Sequence, residues 1–400
     1  MPNFADWTTR TLRDIAEVYD GPHATPHKTE QGPWFLSISS LQHGRLVLSE
    51  SAHLSEDDFT RWTRRVTPQP NDVLFSYETR LGEAALMPDG VRACLGRRMA
   101  VLRPRSSEVN PRFLLYAYLG PEFQKEIDRR TVRGATVDRI PLNEIGEWPI
   151  RLPDRRTQDA IAEVLGALDE KIEANLRLAA KADNLWLALA SSTIQSIEAN
   201  EESNQSSDFR PLSSLAKFIN GRAFTKDATG TGRMVVRIAE LNSGPGDSTV
   251  YNDIDVSDEY VAQPGTLLFA WSGSLTVQRW FRPEAIINQH IFRVIPEPNV
   301  PIWLIHAHLL QLLPSYQRIA AGKATTMGHI QRRDLDAAVA VPDAETVVRL
   351  DTVCSPLWKR ALRAETETLT LVALREVLLP KLLMGEIRVR VAEQSVGFAV

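Results

Sequence analysis

Cysteine is nearly absent: 400 residues hold only Cys94 and Cys354. Two thiols cannot make a disulfide framework or a four-thiolate zinc site, and such scarcity fits a reduced, cytoplasmic setting. Long apolar runs are missing too. The longest, around Leu304–Leu313, holds two histidines and is too short to cross a bilayer. Residues 1–10 mix acidic and polar side chains without an apolar core, unlike a secretory signal. An excess of positive charge is also lacking. Lys and Arg number 46 against 50 Asp and Glu, a net charge of −4, which excludes a histone-like binder but not a local basic face. Catalytic signatures are absent: no G-x-x-x-x-G-K-[ST] phosphate loop, no G-x-G-x-x-G after a strand, no H-E-x-x-H and no G-x-S-x-G. His306 and His308 alternate instead of sharing a helix face at i, i+4, a poor metal pair. No Asn/Asp-Pro-Pro-aromatic tetrapeptide of the amino-methyltransferase type occurs. These absences favour a binding protein, with no catalytic residue and no metal site.

What is present is ordinary globular material, 43% apolar and 24% charged. At roughly 100–200 residues per domain, the length predicts two to four domains. Self-similarity narrows this. Pro70-Asn71-Asp72-Val73-Leu74-Phe75-Ser76-Tyr77 returns as Pro264-Gly265-Thr266-Leu267-Leu268-Phe269-Ala270-Trp271, each copy a turn followed by a buried strand. Gly134-Ala135-Thr136 up to Ile140 resembles Ala324-Thr325-Thr326 up to Ile330. Leu152-Pro153-Asp154 resembles Val341-Pro342-Asp343. The order is kept while the offset drifts, as in a duplicated domain with loop insertions.

After each Pro-Asp the pattern becomes helical. Ile161, Leu165, Leu168, Ile172, Asn175, Ala179, Ala182, Trp186 and Leu189 step by fours and threes, a heptad seam. The second seam runs through Val347, Leu350, Cys354, Leu357, Ala361, Ala364, Thr368, Leu371, Arg375 and Leu378. Polar Asn175, Thr368 and Arg375 can fix register at some cost, and the small residues permit close approach. Roughly 35–40 helical residues make a rod of about 55–60 Å.

The predicted organisation is α+β: a globular domain at 1–153, a long helix at 154–195, a polar linker at 196–207, a second similar domain at 208–342, a long helix at 343–385 and a tail at 386–400, either frayed or a short strand. The two helices are expected to pair antiparallel and give the chain an internal pseudo-twofold repeat. Residues 1–153 carry 20 basic and 20 acidic side chains, 154–207 carry 5 and 10, 208–342 carry 13 and 12, and 343–400 carry 8 and 8. The acidic excess therefore belongs to the first helix and linker. The first domain has basic clusters at Arg61, Arg64 and Arg65, at Arg97, Arg98, Arg103 and Arg105, and at Lys125, Arg129, Arg130 and Arg133.

Two variable domains, each followed by one long helix, resemble the specificity (S) subunit of type I restriction-modification systems. Asp20-Gly21-Pro22-His23-Ala24-Thr25-Pro26 followed by Gly32-Pro33-Trp34-Phe35-Leu36 looks like the opening of one class of target recognition domain. Asn220-Gly221-Arg222-Ala223-Phe224 followed by Val236-Arg237-Ile238 looks like another. Ile287 to Val294 is similar to the family's N-Q-H-x-F-x-V pattern. Leu152-Pro153 with Gln158, Ile161, Val164-Leu165, Leu168-Asp169 and Ile172 resembles the start of the family's first long helix. Thr157 stands where the family often has Glu, and the start of the second helix lacks the glutamine.

The resemblance implies a non-catalytic subunit whose two domains each read one half of an asymmetric bipartite site in double-stranded DNA. The helices would set the spacer, a rod of that length spanning about 16–18 base pairs, and dock methyltransferase (M) subunits. Restriction (R) subunits complete the complex. The resemblance also implies no cofactor on this chain: S-adenosylmethionine belongs to M, and ATP with magnesium to R. Candidate DNA-contacting residues are His23, Thr25, Lys28, Ser39, Tyr77, Arg80, Arg97, Arg98, Arg130, Arg133 and Thr136 in the first domain. In the second they are Arg222, Lys226, Arg237, Asn242, Ser272, Ser274, Gln289, His290, Lys323, Thr325, Thr326 and His329. Arginine reads guanine through a two-point fork, and asparagine or glutamine reads adenine similarly. The helix seam is represented by Ile161, Leu165, Leu168, Ile172, Leu350, Leu357, Ala361 and Leu371.

Ordinary roles compete with these. Arginines pair with nearby carboxylates, His290 can be a hydrogen-bonded structural residue, Gly21 and Gly221 can serve tight turns, and Tyr77 and Trp271 can be core. A coiled-coil adaptor that binds protein partners without reading DNA is the alternative function, and a nuclease or methyltransferase in its own right is a third.

Overall fold

A computed structural model describes residues 7–23, 25–105, 107–134, 137–200, 208–322 and 328–397. The chain divides into two compact units. Unit 1 comprises the residues up to Lys171 together with those from Leu371 onward; unit 2 comprises Ile172–Thr370. Each unit thus combines one sheet-rich region with a stretch of both long helices.

The duplication is clearest in the main sheet. Unit 1 has a four-stranded antiparallel sheet in the spatial order Ala16–Asp20, Met99–Pro104, Val73–Ser76, Ala84–Leu86. Unit 2 repeats it with Ala216–Asn220, Ile291–Pro296, Leu267–Ala270 and Thr276–Arg279. A second sheet, three-stranded in unit 1 and four-stranded in unit 2, contains one parallel pair in each, Trp34 beside Ala93 and Val235 beside Ile286. A two-stranded ribbon precedes each long helix: Thr8–Thr11 with Pro149–Leu152, and Asp208–Pro211 with Ala338–Val341.

The repeated octapeptide explains its own geometry. Asn71 and Gly265 both adopt left-handed backbone, with φ of 71° and 96°. Asn and Gly tolerate that region best. The turn is closed by Asp72 N donating to Gln69 O at 3.0 Å and by Thr266 N donating to Gln263 O at 2.8 Å. The strand that follows is fully buried in both copies. Successive side chains point to opposite faces. Leu268 and Ala270 therefore join one core with Val236, Trp280 and Ile287. Leu267 and Phe269 join another with Ile305, Leu309 and Tyr316.

The helical layer differs between the copies. In unit 1 it is broken at Gly120-Pro121 into Pro111–Leu119 and Pro121–Arg130. The first of these is capped by Asn110 Oδ1, which accepts from the backbone N–H groups of Arg112 and Phe113 at 2.9 and 3.0 Å. In unit 2 one helix, Ile302–Ala321, runs through Pro314. It carries His306 and His308, both buried. Burial pushes each imidazole down to about 4. Trp358 Nε1 donates to His306 Nδ1 at 3.2 Å, whereas both ring nitrogens of His308 lack a partner among the described residues.

Because the folded pKa lies below the ordinary 6.5, the unfolded chain binds more protons as pH falls from 6.5 to 4, and stability is lost across that window. At pH 5 each histidine should cost about 2 kcal/mol. We expect His308→Leu to be near wild type in urea midpoint at pH 7.5 and clearly more stable at pH 5. An equal difference at the two pH values would contradict this.

The long helices span Arg155–Asn200 and Ala344–Leu383. Both start on the same cap: Asp154 accepts from Thr157 and Asp343 from Thr346, through the backbone N–H and the hydroxyl of each threonine. Gln158 is buried and joins the first helix to unit 1, accepting from Asn110 N at 2.9 Å and donating to the carbonyls of Glu108 and Pro153. Within unit 2 the helices run antiparallel: Asn175 meets Glu367 at 2.9 Å, and further along the Cys354 thiol meets the Trp186 carbonyl. Ile161, Leu165, Leu168, Ile172, Leu350, Ala361 and Leu371 are buried, and Leu357 is half-buried. Ala179, Ala182, Ala361 and Ala364 form one cluster, the close approach the small seam residues permit. The polar seam residues are all bonded: Asn175 to Glu367, Thr368 to the Ala364 carbonyl, and Arg375 to Asp169 and the His43 carbonyl.

Two boundaries need correction. The first helix continues through Asn200, so residues 196–200 are helical and not linker; 201–207 lie outside the described residues. The tail is neither frayed nor a strand over Val389–Gly397, which is a helix with Val389, Ala392 and Val396 buried.

Candidate nucleic-acid interface

Both units end their four-stranded sheet in the same ring of loops. In unit 1, Gly21 N donates to Met99 O at 3.0 Å, Tyr77 N to Arg98 O at 3.0 Å, and Ile140 N to Tyr77 O at 2.8 Å. In unit 2, Gly221 N donates to Ile291 O at 3.0 Å, Trp271 N to His290 O at 3.1 Å, and Ile330 N to Trp271 O at 3.1 Å. Isolated bridges Glu78–Arg139 and Ser272–His329 complete the match. The two glycines are required by close approach. A Cβ on Gly21 would lie 2.4 Å from the Met99 carbonyl oxygen, and one on Gly221 would lie 2.2 and 2.3 Å from those of Asn288 and Ile287. Arg98 and His290 hold equivalent left-handed conformations, with φ of 71° and 74°.

This ring gathers most of the candidate residues of unit 1. Thr25, Lys28, Arg97 and Arg98 border one open cleft of about 440 Å³ with Phe35 and Ser37. Ser39 follows on the adjoining turn, its hydroxyl 2.5 Å from that of Ser37. Arg80 reaches the Ile38 carbonyl and Glu83. His23 is exposed beside Gly21. Arg98 is tied down by Glu78 at 3.0 Å and Thr79 at 3.0 Å. Arg97 is exposed and makes no hydrogen bond or ion pair among the described residues.

Several residues fall elsewhere or are spoken for. Tyr77 is 6% exposed, and burial, with Asp20 nearby, pushes its phenol up to about 12. Its ring is core and cannot meet a base from this position. Arg130 bonds Glu126 at 2.7 Å and lies over Trp148, a packing role. Arg133 pairs with Asp128 at 2.8 Å. Arg103 pairs with buried Asp72 at 2.7 Å, so that cluster is largely neutralised too. Thr136 lies outside the described residues.

In unit 2, Arg222 is exposed with its guanidinium 4.7 Å above the Tyr260 ring, and Lys226 is exposed on the same loop. Gln289 is exposed, its backbone N–H donating to the Arg222 carbonyl at 2.8 Å. His290 and His329 flank Trp271, with ring centroids 5.1 and 6.2 Å away. Ser274 borders a neighbouring cleft with Gln317, and exposed Asn242 accepts from Gln278 at 3.4 Å. Two assignments are corrected. Ser272 is 2% exposed, and Arg237 is committed to a buried carboxylate, Glu240. Burial raises the Glu240 pKa, but the Arg237 guanidinium and backbone bonds outweigh it and hold the group below the usual carboxylate range. Lys323, Thr325 and Thr326 lie outside the described residues.

Sequence reading missed two supports of the ring. Asn288 Oδ1 accepts from Phe224 N at 3.2 Å, and Asn252 Nδ2 donates to Phe224 O at 3.0 Å. Together they pin the Arg222–Lys226 loop. Both are buried asparagines within or next to strands, a signal the linear sequence does contain. Among the described residues no group of three or more His, Cys, Asp or Glu could hold a metal ion, and no helix is long and apolar enough to cross a membrane.

Duplicated sheets joined by paired long helices define a class that comparison makes specific. Residues 5–182 match the model of the type I restriction modification DNA specificity domain. The putative type I restriction enzyme MjaX specificity subunit of Methanocaldococcus jannaschii is 25% identical over 178 residues, 42% of this chain and 40% of that protein. The match therefore spans well under half of that relative. Across nearly the whole chain the fold is that of the type I restriction-modification system S subunit from M. genitalium. Its crystal structure aligns with a TM-score of 0.59 at 16% identity, covering 94% of this chain and 96% of that one. The HsdS subunit from Thermoanaerobacter tengcongensis aligns over 95% and 97% at 17% identity, with a TM-score of 0.34.

Proposed function

We propose that this chain is the DNA sequence-recognition subunit of a type I restriction-modification complex, without catalysis of its own. One observation carries the proposal. Residues 208–342 repeat the four-stranded sheet, the ribbon before the long helix and the matched loop bonds of the stretch that matches the DNA specificity domain. The chain therefore has two recognition domains. Their rings carry different side chains, Arg97-Arg98 against Gln289-His290, so each reads a different half of a bipartite, asymmetric site. The paired helices set the spacer and dock methyltransferase subunits, and restriction subunits join that assembly. S-adenosylmethionine and ATP are bound by those partners, in the cytoplasm, and not by this chain.

Near-neutral charge suits the division of labour: partners provide the phosphate grip while this chain supplies base readout. Co-expression with the cognate methyltransferase subunit should give a complex that methylates one two-part sequence. Methylation scattered without a two-part consensus would overturn the reading and favour the adaptor alternative.

A further inference from the structure

We infer that Arg279 in unit 2 and Arg375 in unit 1 are positioning residues. Each fastens a recognition domain to both long helices in one pose, and so confines the complex to one spacer length. This rests on the proposed recognition function and adds to it. Helix length alone does not fix the spacing if the domains can rock on the helices.

In unit 2 the arginine comes from the domain. Arg279 ends the strand Thr276–Arg279 and is buried. It bonds Asp183 of the first long helix through two nitrogens, at 3.0 and 3.1 Å, and Glu365 of the second at 2.9 Å. Asp183 is itself held by Trp186 Nε1 at 2.7 Å. In unit 1 the roles are reversed. Arg375 belongs to the second helix and Asp169 to the first, and they meet at 2.9 Å, the arginine side chain only 12% exposed. The domain supplies the other bonds. The His43 carbonyl accepts from Arg375 at 2.8 Å, and Tyr116 Oη donates to Asp169 Oδ2 at 2.7 Å. A tight hairpin between Leu41–Gln42 and Arg45–Leu46 aims that carbonyl. Its tip residues His43 and Gly44 are both left-handed, with φ of 49° and 89°. Glu83 steadies the tip by accepting from His43 N at 2.9 Å.

Both copies thus place one arginine where the domain meets both helices, but build the junction from different residues. Stability is a poor reason for such a junction, because apolar residues of similar volume do as well or better than a buried ion pair. What directional, charge-assisted bonds supply is a single geometry. Reading two half-sites has a use for it. Each base pair added to the spacer moves the far half by about 3.4 Å and turns it by about 35°. A domain held in one pose cannot follow, so mis-spaced halves have to be met by deforming the DNA.

The test uses the proposed complex of this chain with methyltransferase subunits, whose wild-type motif is first read by sequencing methylated DNA. Plasmids then carry that motif with its spacer at natural length, one base pair shorter and one longer. They are modified by wild type, by Arg279→Lys and by two clasp-free variants: Arg279→Met with Asp183→Asn and Glu365→Gln, and Arg375→Met with Asp169→Asn. Removing the whole charge set strands no carboxylate, so the urea midpoints of the clasp-free variants should stay close to wild type. Asparagine keeps an acceptor for Trp186 or Tyr116. Wild type should strongly prefer the natural length. Each variant should narrow its lead over a neighbouring length by about tenfold, near the low end of what deforming DNA costs. The specified bases of both halves should not change. Arg279→Lys keeps the charge but loses the two-point bond, and it carries the test should a clasp-free variant not fold. Three outcomes overturn the inference while leaving the recognition function standing. They are variants as strict about length as wild type, a wild type already indifferent to one base pair, and a change in the specified bases of either half. A wild-type complex with no two-part motif overturns the recognition function itself.

Discussion

Replacing Arg279 by methionine is expected to destabilise unit 2 by about 3–5 kcal/mol, because it strands two carboxylates. Arg279 is 5% exposed and bonds Asp183 and Glu365, one from each long helix, at 2.9–3.1 Å. Its guanidinium also lies 4.8 Å above the Trp358 ring. It is the one side chain of the strand Thr276–Arg279 that clasps both helices. Burial already raises the Glu365 pKa above the usual carboxylate range despite Arg279. Without the arginine that upward shift would be larger. The deficit of the variant should therefore be larger at pH 8 than at pH 5, because the charge on the half-buried Glu365 is lost as it takes up a proton. Paired urea titrations of the full chain at the two pH values test this. A deficit under about 1 kcal/mol, typical of an exposed ion pair, would show that the clasp contributes little.

Trp186→Ala is expected to cost a similar amount, about 3–5 kcal/mol, by a different route. Trp186 is 1% exposed on the first long helix and packs in one cluster with Trp303, Cys354 and Trp358. Its ring centroid is 5.2 Å from that of His306. Its Nε1 donates to Asp183 Oδ1 at 2.7 Å, the same carboxylate that Arg279 holds. Truncation opens a cavity and removes one support of that carboxylate. The two substitutions should therefore couple, and a double-mutant cycle should give an interaction of about 0.5–3 kcal/mol. Strict additivity would place the tryptophan's role in packing alone.

Much of the fold was legible because it rests on local chemistry. Pro70-Asn71 and Pro264-Gly265 announce the same left-handed turn, and the apolar run behind each is a doubly buried strand. The seam positions were readable from their spacing, down to the alanines that let the helices approach. Legibility stopped where partners are distant in sequence. Asp183 and Glu365 lie 96 and 86 residues from Arg279, and nothing in the linear pattern links them. The clustered arginines misled for a related reason. Arg103 finds Asp72 and Arg98 finds Glu78 across the sheet, so a run rich in positive charge is mostly neutralised where it stands. The i, i+4 pair Glu126–Arg130 was readable in principle, since helical spacing alone brings those groups together. Tyr77 shows the limit of position-by-position inference: its backbone helps build the ring of loops while its side chain belongs to the core.

The most direct test is sequencing that detects methylated adenine in DNA modified by the proposed complex of this chain with methyltransferase subunits. The proposed recognition function predicts a single asymmetric motif of two specified halves separated by an unspecified spacer. Substituting the ring residues of one unit should alter only one half. Modification without such a motif, or a motif whose two halves respond together to a substitution in one ring, would contradict it.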